Sequence, residues 1–151
     1  MVSNFMLILS GTIGSIGFAL VFHAKNKVLF SDALGGIVCG IVYVLCRRTF
    51  LYSEFVSVTI ASLCIASYSE IMARVIKEPA IVMFVPSIIS LMPGSALYYT
   101  LSNAVIGEWA LAKAYAEELA MIACGIVIGA SVIWTFMEVK RRIKTTIMTK
   151  N

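Results

Sequence analysis

Two stretches place residues capable of chemistry inside an otherwise apolar chain. The first is PSIISLMPGSALYYT, Pro86 to Thr100, with two prolines, one glycine, three serines and two tyrosines. Proline in a helix removes an N–H and clashes with the carbonyl four residues back, at a cost of about 3 kcal/mol in a helix interior. Pro86 frees the carbonyl of Val82, and Pro93 frees that of Ile89. Pro93 also turns Met92 away from helical angles, and Gly94 accepts almost any backbone geometry. The triplet Met92-Pro93-Gly94 therefore predicts a break near the middle of its segment. In lipid such a break is tolerated only against protein or a water-filled cavity. The half-helix restarting near Ser95 would offer free N–H groups to an anionic group. Ser95 is placed to cap that half-helix or to meet a carboxylate. Ser87 and Ser90 would line the approach, with Tyr98 and Tyr99 as aromatic walls and hydroxyl donors. The plainer reading is a proline kink without a ligand. Two prolines, Gly94 and the polar cluster together favour a binding site.

The second stretch is SYSEIMAR, with Glu70 and Arg74 four residues apart and so on one helix face. A carboxylate inside a membrane span is expensive and points to function, here a proton-coupling role. The competing reading is a structural ion pair near the membrane surface. Asp32, one turn into its own segment, reads as the weaker candidate and as interfacial.

Little else has chemical spacing. His23 stands alone, so it predicts packing at an interface rather than a metal site. Cys39, Cys46, Cys64 and Cys124 form no CxxC pair and read as small packing residues. No cofactor or metal is implied. No nucleophile–base pair or phosphate loop points to an enzyme.

These residues must be held by membrane helices. Of the 151 residues, 60% are hydrophobic and 13% charged, with a mean hydropathy of +0.95. Soluble domains are about 25% charged, and a water-soluble core of this size could not hide so much apolar surface. The expected fold is an all-α integral membrane protein, one transmembrane domain over 1–151. Its spans are expected at about 1–22, 28–46, 55–73, 80–101 and 119–137, with a basic tail at 138–151 and the fourth span broken by Pro86, Pro93 and Gly94. A four-span arrangement would leave one segment half in the membrane, the second being the candidate, because its uncharged run Ala33–Cys46 is short. The first segment lacks a basic n-region and a small-x-small cleavage site, so it reads as a retained helix rather than a signal peptide.

Charge sets the orientation. The net charge is +4, and five of the twelve basic residues lie between Lys140 and Lys150. Basic residues flanking spans are a topology signal, so nucleic acid is not an expected partner. A cytoplasmic C-terminus puts Lys25, Lys27, Arg74, Lys77 and the tail inside, against Arg47, Arg48 and Lys113 outside. That is nine basic residues against three, in accord with the positive-inside rule. Gly107–Leu119 reads as an outer interfacial helix or as a solvated connection. The GxxxG patterns Gly36–Gly40 and Gly125–Gly129, with Ser10, Gly11, Gly14 and Ser15 in the first span, predict close helix packing in a compact bundle or against another subunit.

The run Ser69–Leu101 resembles the membrane signature of the threonine/serine exporter family. Glu70, Arg74, Pro79, Pro86, Pro93, Gly94 and Tyr98 occupy the signature's places, and Gly17–Tyr43 looks like the family's first two spans. Ser87 departs from the glycine that many relatives carry after the first proline. The resemblance implies the C-terminal half of a two-half exporter, as in the small YjjB-type subunits that pair with a larger YjjP-type membrane subunit. It also implies export of threonine or serine, driven by the proton gradient, across the bacterial inner membrane. A homo-oligomer is the alternative assembly. Succinate export by the same architecture, or a non-transporting scaffold role, are the alternative functions. On this reading Ser87, Ser90, Pro93, Gly94, Ser95 and Tyr98 bind substrate, and Glu70 with Arg74 handles the coupling proton.

Overall fold

The computed structural model describes residues 2–49 and 53–149. Met1, the expected start of the first span, and Lys150 and Asn151, at the end of the basic tail, lie outside them. Regular structure among the described residues is helical throughout. The elements are α1 (Val2–Val21), α2 (Asn26–Val44), α3 (Glu54–Ile76), α4 (Ala80–Ile88), α5 (Gly94–Val105) and α6 (Trp109–Thr149). A π turn, Leu45–Thr49, widens the end of α2, and a 3-10 turn, Ile89–Leu91, tightens the end of α4.

Three stretches are long and apolar enough to cross a membrane: Asn26–Arg47, Glu54–Ile76 and Trp109–Ile143. Ala80–Leu91 and Gly94–Val105 form a fourth as a pair bent by 59°. α1 carries no charged side chain over its 20 residues, Val2–Val21. At 1.5 Å per residue it covers about 30 Å, close to the thickness of the hydrocarbon core. The described residues thus give three spans, or four with the broken pair, and a count of five depends on how α1 sits in the bilayer.

Helix ends follow from backbone chemistry. At the end of α1, His23 has φ 54°, its N–H reaches the Leu20 carbonyl, and the Ala24 N–H reaches that of Ala19. Gly107, at φ 84°, does the same for α5, with Glu108 N–H bonded to the Asn103 carbonyl. Both are left-handed caps that satisfy carbonyls the helix leaves open. Glycine fits the second position without strain. His23 is exposed, and its visible task is to end α1. Lys77, at φ 62°, ends α3 two residues before Pro79.

The region after Gly107 is helical, and no break separates it from the last expected span. From Trp109 to Thr149 the chain is one 41-residue helix, about 60 Å long. Alanine-rich sequence and the absence of proline leave nothing to stop it between the expected interfacial segment, the last span and the basic tail.

The glycine patterns are satisfied inside the chain. A Cβ on Gly36 would lie 2.9 Å from Ser15 Cβ, and one on Gly40 3.3 Å from Ile8 Cγ1, so α1 lies tightly on α2. A Cβ on Gly129 would lie 2.7 Å from the Thr59 carbonyl oxygen, and one on Gly125 3.1 Å from Thr59 Oγ1, so α6 lies tightly on α3. Dispersion contacts of this kind hold helices together where lipid is as apolar as leucine. The apolar core forms around α3, from Val58, Ala61, Ile65 and Ala66, with Cys39, Phe84, Leu91 and Ile122 packed on them. Cys39 and Cys46 are buried, Cys64 and Cys124 are exposed, and all four are free thiols.

Candidate functional site

The break forms at Pro93 and Gly94, while Pro86, also expected to break the helix, lies inside α4 without interrupting it. Pro93 has φ −80° and ψ 61°, and the Gly94 N–H bonds the Met92 carbonyl at 2.8 Å. That is an inverse γ-turn, the tightest reversal available to an L-residue. Gly94 then begins α5. The Leu97 N–H is taken by the Pro93 carbonyl. Ser95 and Ala96 therefore carry the first-turn amides still open to an outside acceptor. No side chain caps α5. Ser95 sits inside the helix and is exposed, so the expected capping role is not the one it has.

The break opens on a cavity of about 350 Å³. Ser90, Pro93 and Ser95 line it from the broken segment, Tyr43 and Glu54 from the ends of α2 and α3, and Glu118 from α6. Tyr43 and Glu54 belong to one end of the bundle. The break is thus central in its own stretch but lies toward the end of its neighbours, not at their mid-depth. Glu54 is fixed by the Tyr43 hydroxyl, which donates to Oε1, and by Arg47 Nε, 2.8 Å from Oε2.

The six expected substrate residues divide. Ser90, Pro93 and Ser95 line the cavity, and Gly94 adjoins it in open space. Tyr98 is 66% exposed and meets the Tyr99 ring edge-on at 5.4 Å, outside the cavity lining. Tyr99 in turn stacks on Tyr115 of α6. Ser87 lies deeper, fully buried, with its hydroxyl against Gly35 of α2. Pro86 is buried beside it within α4. Glu54 and Glu118 are the contributions sequence reasoning missed. Nothing in the broken segment itself announces residues that arrive from α3 and α6.

Glu70 and Arg74 are together, but loosely. Arg74 Nη2 lies 4.0 Å from Glu70 Oε2, and the arginine side chain is 62% exposed. They line a second, larger cavity of about 810 Å³ with Trp134, Met137, Glu138, Lys140 and Arg141 of α6. This cavity is at the opposite end of the bundle from Tyr43 and Glu54. The α1–α2 and α3–α4 connections meet at the same end, where Lys25 Nζ lies 2.6 Å from Glu78 Oε1. That hydrogen bond and the Glu78 charge hold the lysine above its ordinary pKa.

A third group sits at depth. Ser15, Ser31, Asp32, Ser69 and Ser87 are each 0% exposed. Ser15 Oγ donates to the Asp32 carbonyl at 2.9 Å, and Tyr68 Oη donates to the Ser31 carbonyl at 2.9 Å. Asp32 was expected at an interface. α2 begins at Asn26, so Asp32 lies more than a turn in, and its side chain is instead fully buried.

The family profile described as "Threonine/Serine exporter, ThrE" matches residues 7–136. No curated protein and no solved structure matches the chain. The match takes in most of α1, all of α2 to α5 and most of α6, including the break, Asp32, Glu70 and Arg74, and the chain belongs to the threonine/serine exporter family.

Proposed function

We propose that this chain is the membrane subunit of a proton-coupled exporter of threonine and serine, working with a larger YjjP-type subunit. The observation that carries the reading is the composition of the break cavity. A free amino acid presents a carboxylate and an ammonium a few ångströms apart. The open amides of Ser95 and Ala96 suit the carboxylate. Glu54 and Glu118 suit the ammonium. The exposed Ser95 is at hand for a side-chain hydroxyl, while the Ser90 hydroxyl is buried against Gly11 of α1. A dicarboxylate would instead meet two carboxylates, with the neighbouring Arg47 already engaged by Glu54. The cavity therefore favours threonine over succinate. The scaffold reading loses its main support, because both glycine faces are occupied within the chain.

In the proposed arrangement five helical segments sit in the bacterial inner membrane with the C-terminus in the cytoplasm. The Glu70–Arg74 mouth then faces the cytoplasm, where protons and substrate exchange with solvent. The break cavity lies toward the outer side.

The test loads cells with threonine from a threonine-containing dipeptide and follows its release. Strains carry this chain alone, the larger subunit alone, or both. Export is expected only with both, with competition from serine and none from succinate. Glu118→Gln is expected to weaken export by raising the threonine concentration needed. Release of succinate but not threonine would overturn the substrate, and full export by the larger subunit alone would overturn the role of this chain.

A further inference from the structure

The Asp32 carboxyl stands unpaired among the described residues. Asp32 is 0% exposed, and neither carboxyl oxygen has a hydrogen-bond partner among the described residues. This is already so in the single chain, so no second subunit is needed to bury it. A carboxylate stripped of water and left unpaired is among the most costly groups to bury. The surroundings offer no counter-charge. Val2–Val21 of α1 and Ala80–Ile88 of α4 contain no titratable side chain. From α3 the group that reaches this region is Tyr68, whose hydroxyl is given to Ser31. Glu54 is engaged by Tyr43 and Arg47 at one end of α3, and Glu70 and Arg74 face each other at the other. On α2 itself, Lys27 is exposed, and Cys39 and Tyr43 lie two or more turns farther along the helix. Lys25, at the helix start, is paired with Glu78.

The charge is therefore either absent or cancelled by a bound species. A metal cation needs several oxygen ligands converging on one point. Among the described residues no side chain or amide hydrogen-bonds the carboxyl, and the Ser69, Ser87 and Ser90 hydroxyls are unpartnered as well. No group of three or more His, Cys, Asp or Glu able to hold a metal occurs among the described residues. A proton needs one carboxylate oxygen and nothing more. Resting on the exporter reading above, we propose that Asp32 is the buried proton carrier of the transport cycle. One carboxylate oxygen accepts a proton, forming an O–H bond and discharging the anion, and the reverse step releases it on the other side. Threonine leaves as a neutral zwitterion while one proton enters, so each cycle carries one positive charge inward.

The placement fits. Asp32 is about 9 Å from the Asn26 end of its span and about 22 Å from the Arg47 end, at 1.5 Å per residue, so it is inside the hydrocarbon depth. Ser87 of the broken helix packs against Gly35, one turn on from Asp32. A change in the charge of Asp32 is thus felt beside the segment whose next residues, Ser90 to Pro93, line the substrate cavity.

The experiment uses proteoliposomes holding whichever form the export test finds competent, this chain alone or with the larger subunit. Threonine–threonine exchange is measured without a gradient, and threonine movement is measured under an imposed pH gradient. Asp32→Asn, neutral and nearly the same shape, is expected to exchange like wild type but to lose the acceleration by the pH gradient. Gradient-driven movement equal to wild type in Asp32→Asn would overturn the role of Asp32. So would the loss of exchange together with driven movement in a folded variant, since that marks a substrate or structural group. A wild type that exchanges threonine yet ignores the pH gradient, or follows sodium instead, would overturn proton coupling itself. Should Asp32→Asn fail to insert, Asp32→Glu keeps the carboxyl and is expected to shift the pH of half-maximal driven transport. An unchanged profile in that variant would also overturn the role.

Discussion

Gly94 and Gly35 sit at the two ends of the same polar problem. Around Gly94, at the break, a Cβ would meet nothing within 4 Å. Around Gly35, at depth, it would lie 2.1 Å from Ser87 Oγ, 2.9 Å from Ser87 Cβ and 3.2 Å from a Tyr68 ring carbon. The break is conspicuous in sequence and roomy in space. The buried cluster is inconspicuous in sequence and has no slack. One region is shaped to admit something, and the other to hold a charge-bearing group out of water. In a transporter, binding can tolerate space, whereas a group that passes a proton must not be open to water on both sides at once.

The comparison breaks most sharply at Gly35. Gly35→Ala is expected to destabilise the protein by about 1–3 kcal/mol, the usual cost of overpacking a filled site. Thermal unfolding of the purified protein in detergent measures it. Ser87→Gly removes both atoms in the way, so the double variant should recover most of the loss, a coupling that two distant sites would not show. If Gly35→Ala unfolds like wild type, the tight contact between α2 and α4 is wrong. Gly94→Ala should act in the opposite sense, leaving stability unchanged or raising it by up to about 1 kcal/mol, as expected for alanine over glycine in a helix. Loss of threonine export in that folded variant would show that the open space belongs to the substrate. The smallest effect is expected at Lys25→Met. A lysine held above its ordinary value of 10.5 adds stability that is present below that pH and fades as pH rises through the raised value. The difference between Lys25→Met and wild type should therefore be slight at neutral pH and vanish in strong alkali. A difference that grew with pH would remove the Lys25–Glu78 contact from the account.

What the sequence disclosed depended on whether the signal was local. Pro93 and Gly94 break the helix wherever the chain lies, because the missing N–H and the restriction on Met92 are properties of neighbouring residues. The glycine spacings likewise predicted close packing, and the chain uses them internally. Residues acting across the bundle were not legible in this way. Glu118 reaches the break only because α6 runs without interruption past the expected loop. Ser87 and Tyr98 belong to the broken segment by sequence but face a buried helix and the exterior respectively. The burial of Asp32 and of Glu70 was not legible either. Each is the one charged residue in its hydrophobic segment, but the depth of a helical residue depends on where its helix starts and what covers it. Asp32 is fully buried, whereas Glu70 opens on a cavity.

The uninterrupted α6 has a mechanical consequence. Its Glu118 and Ile122 wall the break cavity, and its Trp134, Met137, Glu138 and Arg141 wall the mouth at the far end. Between the two walls it rests on α3 through Gly125 and Gly129, the points of nearest approach. A stiff rod seated near its middle behaves as a see-saw. Any tilt about that fulcrum swings the two walls in opposite directions, so widening the opening at one end narrows the one at the other.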